Sequence, residues 1–187
     1  MINSPAMNVV FLAGLGNSEP GHWQAIWYRS MAGARWVDHA DWDQPNAADW
    51  VADLDGELRG LPGPKVLVAH SLGCLLAVEW ARRHHDSQVK GSFLVAPPDV
   101  GAPSFPRGAV GFGPPAGDAR PPLPAIVVAS TDDPYASFES ARAAATAWAA
   151  EIADVGARGH INLASNIGAW DQGRALFDRF VAGLGAG

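Results

Sequence analysis

The sequence is short of the residues on which several protein classes depend. It contains one cysteine, Cys74, so no disulfide can form within the chain. Lys65 and Lys90 are its only lysines and the formal net charge is −6, whereas nucleic-acid binding needs clustered positive charge. No apolar run approaches the roughly 20 residues of a membrane span, and no secretory signal is evident. We therefore expect a cytoplasmic protein with no nucleic-acid partner and no membrane partner.

Short apolar segments alternate along the chain with segments of helical periodicity. Its 187 residues fit one domain, residues 1–187, and the 48% of hydrophobic residues is typical of a globular protein. Strands that alternate with helices predict an α/β fold with a doubly wound, mostly parallel sheet flanked by helices. The predicted strands are 8–13, 34–39, 65–69, 89–96, 125–130 and 152–155, and the predicted helices are 23–31, 46–59, 72–83, 137–150 and a last one from 166 or 168 to 184.

A pentapeptide at the junction of a predicted strand and a predicted helix carries the strongest signal. It reads Ala-His-Ser-Leu-Gly over 69–73, with Ser71 at its centre. A serine on a sharp strand-to-helix turn is the nucleophile elbow of α/β-hydrolases, usually written G-x-S-x-G. Ala69 replaces the first glycine, which is a small change because alanine is the next smallest side chain. Cys74 follows the elbow closely; we expect a buried core residue there, and a catalytic thiol is the less favoured alternative.

An elbow serine needs a general base, and in this architecture the order along the chain is serine, acid, histidine. His84 and His85 end the helix that begins at the elbow, about 20 Å from Ser71 at about 1.5 Å per residue. The side chain of His70 should diverge from that of its neighbour on the turn. His160 follows the last predicted strand, at the end of a parallel sheet where active sites gather. We therefore predict that His160 is the base.

The acid should follow the strand at 125–130. Asp132 and Asp133 both lie there, and Asp133 precedes a proline, which favours an extended conformation at a turn. We predict that Asp133 orients His160 and that Asp132 caps the turn, with the reverse assignment as the alternative. The oxyanion hole should combine the Leu72 amide with one from the loop after the first strand, for which we favour Leu15, with Gly16 as the alternative.

The segment 97–124 is rich in proline and glycine and unusually long for a loop of a compact domain. Its apolar residues suggest that it packs over the active site. We expect Phe105 and Phe112 from this segment to bind substrate, together with Trp23 and Tyr135.

No cofactor or metal site is predicted. Gly14 and Gly16 do not continue into a dinucleotide-binding G-x-G-x-x-G, because Glu19 occupies the last position. No phosphate-binding loop is present, and His, Cys and Asp do not cluster at metal-ligand spacing. His22, beside Trp23, either caps the first predicted helix or touches substrate.

The motifs occur in an order that resembles a known family. The chain is similar to the small α/β-hydrolases related to retinoblastoma-binding protein 9, a group that includes the bacterial YdeN proteins. The resemblance implies a compact serine hydrolase without a large cap domain, active on small acyl esters, with Ser71, Asp133 and His160 as its triad. The segments that carry it are 21–23, 69–73, 94–98, 106–115, 130–135 and 159–162.

The resulting hypothesis is a serine hydrolase that cleaves a small-molecule ester, thioester or amide through an acyl-enzyme. One alternative is a hydrolase fold that acts mainly as a module for binding a protein partner, because some members of the resembling family are regarded chiefly as binding proteins and fold alone does not define function. Another is hydroxynitrile lyase or perhydrolase chemistry on the same three residues.

Overall fold

The computed structural model describes residues 7–113 and 123–185, and these residues form alternating strands and helices. In chain order the elements are β1 (Asn8–Leu12), α1 (Trp23–Ser30), β2 (Arg35–Trp36), α2 (Ala47–Gly60), β3 (Lys65–His70), α3 (Leu72–Arg83), β4 (Val89–Val95), β5 (Ala125–Ala129), α4 (Phe138–Ala147), β6 (Glu151–Asp154) and α5 (Asp171–Leu184), with one 3-10 turn at Leu163–Ser165. Within those ranges no helix is both long and apolar enough to cross a bilayer.

The six strands form one sheet in the order β2-β1-β3-β4-β5-β6, and every neighbouring pair is parallel. The predicted α/β fold with a doubly wound parallel sheet is therefore confirmed. The strand order reverses between β1 and β3, so the loops that leave these two strands diverge. The crevice between such loops is where open parallel sheets bind ligands.

Helices cover both faces of the sheet, which explains why its central strands read as continuous apolar runs. Side chains alternate between the two faces along each strand. On β3, Leu67 and Ala69 belong to the core shared with α2 and α3, whereas Val66 and Val68 belong to the core shared with α1 and α5. All four are 0% exposed. The elbow at the end of β3 is thus held by a strand that is buried on both sides.

The second strand and the last helix differ in their bounds from the predicted ones. The second strand has only two residues, where six were predicted, because it pairs with β1 alone at the sheet edge. The last helix begins at Asp171, not at 166 or 168. Asn166, Gly168 and Trp170 all have positive φ values, of 53°, 56° and 52°, which interrupt a right-handed helix.

The described part of the 97–124 segment, residues 97–113, consists of turns and a single bridge between Asn46 and Val110. Phe105 and Phe112 pack against the core on the side of α2 and α3. These residues form no helical cap, as expected for a hydrolase without a cap domain. Residues 114–122 lie outside the described residues.

Candidate active site

Ser71 lies on a strained turn between β3 and α3. Its φ of 54° and ψ of −124° fall outside the helix and strand regions, and the residue lines the cavity described below. The turn is packed against the end of β1. A Cβ atom added to Gly73 would lie 2.4 Å from the Leu12 carbonyl oxygen, and one added to Gly14 would lie 2.9 Å from the Ser71 Cβ. Both glycines therefore permit the elbow and the β1 loop to approach each other.

Ser71, His160 and Asp133 form a continuous hydrogen-bonded chain. His160 Nε2 is 2.9 Å from Ser71 Oγ, and His160 Nδ1 is 2.8 Å from one carboxylate oxygen of Asp133 and 3.0 Å from the other. An ionised carboxylate only accepts, so Nδ1 carries the proton and Nε2 is left to accept the hydroxyl proton of Ser71. The side chain of Asp133 is 3% exposed and that of His160 8%. This is the arrangement that activates a serine nucleophile.

Asp132 points away from this chain of hydrogen bonds. Its Oδ1 accepts from Ser130 Oγ at 2.8 Å and from the Gly159 amide at 2.6 Å. The hydrogen bond from Ser130, followed by that from Gly159, holds the pKa of Asp132 below its ordinary value. Asp132 therefore shapes the loop that carries His160, while Asp133 faces the histidine.

Leu72 and Leu15, the two residues predicted to supply the oxyanion hole, line the same cavity as Ser71. Leu72 is the first residue of α3, so its amide has no acceptor within the helix. Gly16, the alternative to Leu15, donates its amide to the Trp42 carbonyl at 2.9 Å. Among the described residues no hydrogen bond takes the Leu15 amide, and Leu15 lines the same cavity as Ser71. The geometry thus favours Leu15 over Gly16 as the second donor.

Two further histidines, His22 and His70, also line the cavity around Ser71 and are held neutral. His22 caps α1, because its Nδ1 accepts from the Gln24 amide at 3.2 Å. Burial, together with the nearby His160, lowers the pKa of His22 to about 4. Burial also lowers the pKa of His70 well below 6.5, with His160 and His22 as lesser causes. Of these three histidine rings, the one that hydrogen-bonds to Ser71 Oγ is that of His160.

Cys74 belongs to the core. Its thiol is 0% exposed and donates to the Val95 carbonyl at 3.2 Å. Burial raises its pKa well above the ordinary value, so a thiolate does not form there at neutral pH. Within the described ranges, moreover, no three His, Cys, Asp or Glu side chains are grouped so that they could hold a metal ion.

A cavity of about 550 Å³ opens above Ser71. Phe105 and Tyr135, both expected to bind substrate, line it, and the ring centroid of Tyr135 is 4.6 Å from that of His160. Sequence reasoning missed Leu163, whose 43% exposed side chain also lines the cavity. Its position three residues after His160 is the signal that could have identified it.

Trp23 and Phe112 do not line this cavity, which corrects the expectation that they bind substrate. Trp23 is 1% exposed because it faces the sheet from α1, and its indole N–H donates to the Ile161 carbonyl at 2.9 Å. Phe112 is 9% exposed and packs edge-on against Trp50 of α2. Both side chains are therefore buried in the core.

Comparisons with known proteins bear on the family and the fold. The model of a family described as serine hydrolase matches residues 9–179. A solved structure described as a YdeN-like hydrolase from Pectobacterium atrosepticum is 30% identical, with a TM-score of 0.83, over 95% of this chain and 92% of its own. The YdeN protein of Bacillus subtilis is 20% identical, with a TM-score of 0.81, over 95% of this chain and 100% of its own.

A more distant neighbour is esterase 2 of Thermogutta terrifontis, at 22% identity and a TM-score of 0.66, over 97% of this chain and 85% of its own. At this level of identity, and at that of the Bacillus protein, the likeness concerns the fold alone. No curated protein sequence matches the chain. The resemblance to YdeN proteins noted from the motifs is confirmed.

Proposed function

Because the chain belongs to the serine hydrolase family, we propose that it hydrolyses small-molecule acyl esters through an acyl-enzyme formed on Ser71. The observation that carries the proposal is the hydrogen-bonded chain from Ser71 through His160 to Asp133, with links of 2.9 Å and 2.8 Å. A serine hydroxyl needs such a base because it is a weak nucleophile on its own.

In the first half of the reaction, Ser71 Oγ attacks the ester carbonyl while its proton passes to His160 Nε2. The buried Asp133 carboxylate stabilises the imidazolium that results. The carbonyl oxygen becomes an oxyanion and accepts hydrogen bonds from the amides of Leu72 and Leu15. When the tetrahedral intermediate collapses, the C–O bond to the alcohol breaks and His160 returns the proton to the leaving oxygen.

In the second half, a water molecule attacks the acyl-enzyme carbonyl and gives its proton to His160. The second tetrahedral intermediate is held by the same two amides. Its collapse breaks the bond to Ser71 Oγ while His160 returns the proton to that oxygen, which releases the carboxylic acid and restores the serine hydroxyl. A thioester would follow the same steps, with a thiol as the leaving group.

The lining of the cavity favours substrates that carry no negative charge. Among the described residues that line it, none is an arginine or a lysine, and the one carboxylate is that of Glu19. A phosphate or carboxylate group would therefore find no cationic side chain to pair with. We propose esters whose acyl and alcohol parts are both uncharged and small enough for a cavity of about 550 Å³.

The test uses p-nitrophenyl esters of increasing acyl length and a fluorophosphonate probe, with Ser71→Ala as the control. We expect the native protein to hydrolyse the shorter esters and to be labelled at Ser71, and we expect the variant to do neither. Equal labelling of both proteins, or a folded native protein that neither reacts with the probe nor turns over any ester, would contradict the proposal.

A further inference from the structure

The loop that carries His160 has an unfavourable backbone conformation. The residues on either side of the histidine, Gly159 and Ile161, have φ values of 54° and 48°. For a β-branched residue such as Ile161 a positive φ is a genuine outlier, which persists only where the surroundings hold it. Something in the structure must therefore keep this loop in place.

Side chains from the loop after β5 hold its first two amides. The Arg158 amide donates to Ser130 Oγ at 2.9 Å, and the Gly159 amide donates to Asp132 Oδ1 at 2.6 Å. These bonds fix the chain before the histidine. They leave the carbonyl groups of His160 and Ile161 to be satisfied elsewhere.

Ring N–H groups from the opposite side of the loop meet these two carbonyls. His70 Nε2 is 2.9 Å from the His160 carbonyl oxygen, and Trp23 Nε1 donates to the Ile161 carbonyl at 2.9 Å. A carbonyl only accepts, so the proton of His70 must be on Nε2. His70 and Trp23 are 5% and 1% exposed, so water does not compete for these bonds.

We propose that His70 is a positioning residue, which holds the backbone of His160 so that its imidazole stays within hydrogen-bond reach of Ser71. His70 directly precedes Ser71 on the elbow. The turn that orients Ser71 therefore also holds the backbone of His160. The distance between Ser71 Oγ and His160 Nε2 thus depends on this one turn. Trp23 acts in the same way on the next carbonyl.

Burial lowers the pKa of His70 and so favours its neutral ring; a protonated ring would keep the same Nε2–H donor. Its ring faces His22 at 4.7 Å, His160 at 4.9 Å and Trp23 at 6.1 Å, measured between ring centroids. None of these neighbours is a carboxylate that would stabilise a positive ring. The neutral ring has a single N–H, which donates a hydrogen bond to the His160 carbonyl oxygen.

The experiment compares His70→Gln with His70→Met at a temperature well below the melting temperature of both variants. The two new side chains have the same length, and the glutamine amide nitrogen replaces histidine Nε2 at the same number of bonds from Cβ. Only glutamine can donate. We expect His70→Met to lower kcat about 10- to 100-fold, as a misplaced catalytic group does, with KM little changed. His70→Gln should recover most of that loss.

Two other readouts separate positioning from a purely structural role. The rate of fluorophosphonate labelling should fall in parallel with kcat, whereas KM should not. The acid limb of the pH profile of kcat/KM should keep the same number of ionisations in both variants, because His70 does not titrate there. Loss of an ionisation in His70→Met would contradict the neutral donor.

The inference rests on the proposed function, and the two can fail separately. If the native protein turns over esters and His70→Met equals it, or if the glutamine and methionine variants are equally impaired, His70 does not act through its N–H. If the native protein is inactive and unlabelled, the proposed function itself fails. Should His70→Met not fold, His70→Phe takes its place, because it keeps an aromatic ring and loses the donor: an unchanged kcat would overturn the inference, and a lower kcat at constant KM, recovered in His70→Gln, would support it.

Discussion

Replacing Gly73 by alanine should damage both stability and catalysis, although alanine is normally the better residue in a helix. Gly73 lies in the first turn of α3 and is not among the residues with positive φ, so only space is at issue. The new Cβ would lie 2.4 Å from the Leu12 carbonyl oxygen and 2.8 Å from that of Ala13. Both obstacles are backbone atoms, which cannot turn aside as a side chain can.

The size of the effect follows from these distances. For the first contact to lengthen from 2.4 Å to 3.0 Å, the end of β1 must retreat by about 0.6 Å. Overpacking of this kind costs about 3 kcal/mol at the upper end, and the helix propensity of alanine returns about 1 kcal/mol. A net loss of about 2 kcal/mol should lower the melting temperature by about 4–8 °C in a chain of this size.

Catalysis should suffer because β1 leads directly into the loop that carries Leu15. A misplacement of about 1 Å in an active site can cost about 100-fold, so a shift of 0.6 Å should lower kcat by about tenfold or more. The assay is turnover of p-nitrophenyl acetate, measured below the melting temperature, together with thermal unfolding followed by circular dichroism.

Gly56→Ala provides the matched control. Gly56 lies inside α2, and a Cβ there would meet nothing within 4 Å. That variant should gain up to about 1 kcal/mol and keep native activity. A Gly73→Ala protein that melts and reacts like the native one would refute the argument that close backbone approach builds this site.

Two further predictions concern the neighbouring aspartates. Asp133→Asn should lower kcat by about 10³- to 10⁴-fold, because the amide no longer enforces the required tautomer of His160. Asp132→Asn should lower kcat far less, because Asp132 binds the Gly159 amide and not the histidine ring. Equal losses of kcat in the two variants, measured on the same ester, would contradict these roles. Because its folded pKa lies below the ordinary 3.8, Asp132 stabilises the fold fully above that pH and progressively less as pH falls through the lowered value. In urea titrations the difference in unfolding free energy between the native protein and Asp132→Asn should therefore be largest near neutral pH and should shrink in acid. A difference that grew in acid would contradict this role of Asp132.

Local sequence patterns predicted the parts of the fold that depend on neighbouring residues. The helix after the elbow was predicted at 72–83, and α3 occupies Leu72–Arg83. Asn46 and His22 were both candidates for helix caps, and both accept a backbone hydrogen bond at the start of α2 and α1. Alternating apolar strands and helices likewise indicated the parallel sheet, because burial on both faces leaves a continuous apolar run.

The sequence did not reveal which way individual side chains face. Trp23 was expected at the substrate, yet it lies in the core and binds a carbonyl 138 residues away. His70 was expected to point away from the chemistry, yet it holds the backbone of His160. Such contacts join residues that are distant in the chain, so no local periodicity encodes them.

By itself the sequence determined that a serine would stand at a strand-to-helix turn, that one histidine would follow it at the right end of a parallel sheet, and that an acid would lie between them. Only the tertiary structure decided that the Gly16 amide, next to Leu15, already has an acceptor, and which side chains hold the loop that carries His160. The reason is physical. Turns and caps are satisfied within a few residues, whereas a buried donor or acceptor takes whichever partner the packed fold brings to it.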